Sequence, residues 1–111
     1  MRVRTSTGLA VGDYSGAFSR RTATDVDLAA IDSDKALIAN LKFDDKLVDG
    51  AEAYVQCALL YTTTSGQRRI RVHNLGLGVT SVLANLFRGA DIDAQLACHV
   101  RKARFLSSPS M

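Results

Sequence analysis

E-A-Y-V-Q-C-A-L-L-Y-T-T-T-S-G-Q-R-R-I-R-V-H-N-L-G-L, Glu52 to Leu77, is the stretch whose reading decides the fold. Two runs rich in Val, Ile, Leu, Tyr and Thr flank Ser65-Gly66, and short turn residues between such runs are the strongest local signal of a β-hairpin. The period is two: Ile70 and Val72 fall on one face of the second strand, Arg69, Arg71 and His73 on the other. With Ser65-Gly66 as a two-residue loop, Tyr61 stands opposite Ile70 and Leu59 opposite Val72. Both strands then put apolar side chains on one side, which is the expected core.

Upstream, Val3, Thr5 and Thr7 alternate with Arg2, Arg4 and Ser6, predicting a strand that ends at Gly8. Gly8, Gly12 and Gly16 punctuate a loop, Asp13 to Phe18 reads as a short second strand, and Ser19-Arg20-Arg21-Thr22 as a polar turn. Asp25 to Ile31 alternates again, with Val26, Leu28 and Ala30 on the inner face. Asp32-Ser33-Asp34-Lys35 is a turn, and Ala36 to Phe43 is a strand carrying Leu37, Ala39, Leu41 and Phe43 on one face. Asp44 to Ala51 is an acidic loop into the hairpin. Six strands at short spacing, with no helix before residue 79, argue for an antiparallel β-sandwich or barrel over residues 1–77.

After Leu77 the period changes. Thr80 or Ser81 is the expected cap of a first helix with Val82, Leu83, Leu86 and Phe87 as its apolar stripe and Gly89 as its stop. Asp91 caps a second helix with Ile92, Leu96 and Val100 at four-residue steps; Arg101, Lys102 and Arg104 sit near its end, where cations suit the helix dipole. Ser107-Ser108-Pro109-Ser110 reads as a frayed tail. Two amphipathic helices cannot form a domain alone, so residues 78–111 read as the opening of an all-helical domain, the sandwich as partial, and the chain as a fragment.

With 111 residues, 47% hydrophobic and 23% charged, the composition is that of a soluble globular protein. No apolar run approaches the roughly 20 residues that span a bilayer. Nor does an apolar segment follow Met1-Arg2-Val3-Arg4 as a signal peptide requires. Cys57 and Cys98 are far apart and lack a metal-ligand pattern, which fits two buried thiols in a reducing, cytosolic setting. Catalytic signatures are missing: the sequence has no G-x-S-x-G, H-E-x-x-H, C-x-x-C or P-loop. Asp25/Asp27, Asp32/Asp34 and Asp91/Asp93 share the D-x-D look of calcium ligands without the glycine and glutamate of a complete loop, so turn and helix capping explains them. Gly76-Leu77-Gly78 is a lone G-x-G, read as a joint between sheet and helices. No catalytic residue, metal ligand or cofactor is expected in this segment.

The net charge is +3, a mild preference for anionic surfaces. The candidate binding residues are Arg68, Arg69, Arg71 and His73 on the hairpin with Arg2 and Arg4 on the first strand. Repeated guanidinium groups suit carboxylates and phosphates; equally, they form a solvated sheet face whose stems cover apolar neighbours.

S-G-Q-R-R-I-R-V at Ser65 to Val72, continued by H-N-L-G-L at His73 to Leu77, resembles the hairpin that closes the β-sandwich of the inner COPII coat subunits. Three stretches agree in order and spacing: R-V-R-T-S-T-G-L at Arg2 to Leu9, T-D-V-D-L-A-A-I-D-S-D-K at Thr24 to Lys35, and F-D-D-K-L at Phe43 to Leu47. The octapeptide resembles both paralogues, the cargo-binding adaptor and the GTPase-activating subunit; the continuation and the T-D-V-D-L-A-A-I-D run resemble the adaptor more. The turn Ser19-Arg20-Arg21-Thr22-Ala23 departs from the adaptor's asparagine-rich turn, as Asn85-Leu86-Phe87-Arg88 departs in the first helix.

The resemblance implies a β-sandwich completed by segments that precede the coat subunit's trunk, followed by a helical domain. It implies a cytoplasmic, non-catalytic role in transport from endoplasmic reticulum to Golgi, peripheral on exit-site and vesicle membranes. The implied partners are the paralogous inner-coat subunit, the small GTPase of the coat, cargo sorting signals and the anionic membrane surface. The family's zinc finger and the paralogue's catalytic arginine have no counterpart here. An alternative from another class, a small nucleic-acid-binding β-barrel, wants aromatic stacking platforms among the basic residues. Arg68 to His73 contains none, so no nucleic acid is expected.

Overall fold

The computed structural model describes residues 1–107, with side chains through residue 103. Seven strands precede two helices: β1 (Arg2–Thr5), β2 (Leu9–Ser15), β3 (Ser19–Arg20), β4 (Val26–Asp27), β5 (Ile38–Phe43), β6 (Glu52–Thr62), β7 (Arg68–Gly78), α1 (Leu83–Gly89) and α2 (Ile92–Ser107). They form a three-stranded sheet in the order β1-β6-β7, a pair β2-β5 and a short pair β3-β4. All pairings are antiparallel. The expected mainly-β architecture holds, as an open partial sandwich with no closed barrel among the described residues.

The β6-β7 hairpin forms where its period-two pattern places it, but one residue out of the expected register. Tyr61 faces Arg69, Leu60 faces Ile70, Leu59 faces Arg71 and Ala58 faces Val72. The loop is Thr64-Ser65-Gly66 rather than Ser65-Gly66: Thr63 N–H donates to Gln67 O at 2.8 Å, and Gly66 N–H donates to Thr63 O at 2.9 Å. This is a three-residue loop, a turn followed by a glycine at φ +88°. A one-residue slip moves every side chain to the other face of its partner. Ile70 and Val72, expected in the core opposite Tyr61 and Leu59, lie instead on the face of Leu60 and Ala58 and are 69% and 48% exposed, as β7 is along its whole length. The inward face of β6 is Ala53, Val55, Cys57, Leu59 and Tyr61, and β1 adds Val3 and Thr5 opposite Cys57 and Val55.

Positive φ at Gly66 carries a prediction. An added Cβ there meets nothing within 4 Å, so Gly66→Val should cost on the order of 1 kcal/mol through the backbone alone. Gly66→Asn, whose side chain tolerates the left-handed region, should cost less. Amide exchange at Thr63, whose N–H closes the loop, measures both; equal protection in Gly66→Val and the parent would contradict the loop geometry.

At the β1–β2 corner Ser6 N–H donates to Tyr54 O and Tyr54 N–H donates to Ser6 Oγ, each at 2.9 Å, while Thr5 Oγ1 donates to Leu9 O at 2.8 Å. Strand β2 starts at Leu9 rather than Asp13 and runs through Gly12, read above as loop, with a register shift between Val11 and Tyr14. Gly12 belongs in the strand because Asn40 O approaches closely: a Cβ would lie 3.2 Å from it. The expected strand Asp25–Ile31 shortens to Val26–Asp27, and it pairs with Ser19–Arg20, half of the expected polar turn. Val26 does point inward, at 0% exposure. Its N–H donates to Met1 O at 3.0 Å and its O accepts from the Met1 amine at 2.8 Å, tying the first residue to β4.

Neither Thr80 nor Ser81 caps α1. Val82 occupies that position without a side-chain hydrogen bond; Ser81 is instead held by Asp49, its N–H at 3.2 Å and Oγ at 2.8 Å from the carboxylate oxygens. Gly89 is the last residue of α1. Asp91 caps α2 as expected, its Oδ1 accepting from Ala94 N–H at 3.1 Å. Lys102 Nζ donates to Asn40 Oδ1 at 2.7 Å, linking α2 to β5. Ser107 ends α2, and the expected tail beyond it lies outside the described residues.

Candidate functional site

The register divides the six basic residues. Arg2, Arg4 and Arg68 align with Ala58, Gln56 and Thr62, on the outward face that also carries Ile70 and Val72. Arg69, Arg71 and His73 align with Tyr61, Leu59 and Cys57 on the opposite face. Along β6, Arg68 and Arg4 are six pairing positions apart, about 20 Å at the rise of a strand. They form no cluster. Arg69, Arg71 and His73 are two residues apart in turn, about 7 Å per step, in a row on a strand whose outer edge has no partner among the described residues.

Of the six, Arg2 alone forms an ion pair among the described residues. Its Nε and Nη2 donate to the Asp25 carboxylate at 2.5 and 2.8 Å, a bidentate arrangement. Arg2 braces the corner where β1 meets β4. Arg68 Nη1 donates to Thr62 Oγ1 at 3.0 Å and Arg69 Nη2 to Gln67 Oε1 at 2.7 Å. These neutral partners leave both charges uncompensated. All of β7 is solvent-exposed.

The bond from Arg2 holds the Asp25 carboxyl below its usual range, against an opposing contribution from desolvation. A depressed folded pKa means the stabilisation is present above the ordinary carboxylate range, near 4, and is lost as pH falls through the lower folded value. Asp25→Asn should therefore lower stability at neutral pH, modestly because both side chains are about a third exposed (38% and 28%), and flatten the acid limb of the stability–pH curve so that variant and parent converge at low pH. A carbon-detected titration of Asp25 gives the direct check, and an ordinary midpoint there would remove the basis for this expectation.

Sequence alone missed the pairing of Cys57 with His73, which stand directly opposite; only the true register brings them together. Burial pushes the Cys57 thiol upward, with the amino terminus pulling weakly the other way. A protonated thiol is a poor nucleophile; of the two thiols expected to be buried, Cys57 is only half-buried and Cys98, on a helix with an open face, is exposed. The remaining acid pairs have structural partners: Asp27 with Arg21 at 3.0 Å, Asp32 with the Asp34 N–H at 2.9 Å, and Asp91 at its cap. Among the described residues no three metal-ligating side chains converge. The arrangement offers a cationic row on an open sheet edge, suited to binding anions in extended or planar array.

Residues 1–80 match the family described as the Sec23/Sec24 beta-sandwich domain. The chain belongs to this family. It is 60% identical to protein transport protein SEC24 B of Arabidopsis thaliana, over 93% of this chain and 9% of that protein. It is 50% identical to human protein transport protein Sec24D, over 93% of this chain and 10% of that one. Among solved structures, the human COPII-coat protein Sec24c superposes with a TM-score of 0.81 at 45% identity, covering 92% of this chain and 14% of the other. The chain thus spans about a tenth of the length of its Sec24 relatives. All three carry the Sec24 name. No helix among the described residues is long and apolar enough to cross a membrane.

Proposed function

We propose that this chain is a structural and interaction segment of a COPII-coat cargo adaptor, acting in protein transport from the endoplasmic reticulum and without catalytic chemistry or a cofactor of its own. The likeness to the human COPII-coat protein Sec24c over 92% of the chain carries this reading. In it, the segment works on the cytoplasmic face of exit-site and vesicle membranes, alongside the paralogous inner-coat subunit and the coat's small GTPase. Arg69, Arg71 and His73 then meet anions, either the carboxylates of a cargo sorting signal or the phosphates of the membrane surface, to which arginine forks are fitted.

Reconstitution tests the assignment. The parent polypeptide should sediment with liposomes when the other inner-coat subunit and the GTP-loaded small GTPase are present, and stay in solution when either is withheld. Sedimentation indifferent to both additions would count against a coat role.

A further inference from the structure

We draw no further inference here: the strongest candidate, the groove along the outer edge of β1 that Arg4, Tyr14 and Arg20 help to line, carries nothing because nothing in the structure shows what covers it.

Discussion

Purified alone in dilute solution, the 111-residue chain is expected to melt broadly and to associate as its concentration rises. Val26 and Ala53, at 0% and 4% exposure, are the only apolar residues enclosed among those described. Against them stand seventeen large apolar side chains more than a third exposed, Phe43, Ile70, Phe87 and Ile92 among them. Fully burying a side chain of that size stabilises by about 1.5–3 kcal/mol, so tens of kcal/mol of burial remain unrealised. The topology says where. Among the described residues the second edge of β5 and the outer edge of β7 have no pairing partner, which leaves backbone groups there open. Only β6, among the described residues, is paired on both sides. Amide protection should accordingly be greatest in β6 and weak in β5 and β7, and it should spread to both in the parent polypeptide. A sharp melt of a monomer with slow exchange in every strand would show that the segment closes its own core.

The hairpin, the change of period after Leu77 and the Asp91 cap were legible in the sequence because each rests on local chemistry. Register was not. T-T-S-G accommodates a two-residue or a three-residue loop, and both place Gly66 at positive φ; the choice usually falls to burial, since a slip would expose the apolar set. Here β7 is exposed along its length, so neither register is penalised by the segment's own contacts. The pattern of Ile70 and Val72 between arginines consequently suggested a core face that the pairing does not deliver. Strand β3 escaped and β4 was read too long for another reason: each is two residues and is defined by its partner rather than by alternation. Gly12 hid the start of β2 because a glycine in a strand looks like a loop until the close approach of Asn40 O is seen. The candidate site needed alternation as well as register: Arg68 and Arg69 are neighbours on one strand and face opposite sides, and the pairing of β1 with β6 puts Arg2 and Arg4 with Arg68, so six basic residues read as one edge are two sets on opposite faces. One of them, Arg2, is already committed to Asp25.

Reversing the charge of the surviving row should produce the larger functional effect. In the parent polypeptide, Arg69→Glu with Arg71→Glu is expected to weaken binding to vesicles rich in anionic lipid, or to an immobilised acidic cargo tail, whichever supplies the anion. Removing two basic residues near an anionic membrane costs about 2 kcal/mol, roughly 30-fold in partitioning, before any repulsion from the new carboxylates. The loss should shrink at high salt, because exposed charges are screened beyond about 8 Å at physiological ionic strength. Both side chains are exposed, and neither forms an ion pair among the described residues. The fold should therefore survive, with an unchanged melting profile as the control. Arg2→Glu is the contrasting variant: it sets a carboxylate against Asp25 and should lower stability with a smaller effect on anion binding. Comparing acidic vesicles, neutral vesicles and acidic peptide separates the two sources of negative charge. Unaltered binding of the double mutant to both anionic targets would mean that the row on β7 is a solvated sheet face, its arginine stems covering Leu59 and Tyr61 and nothing more.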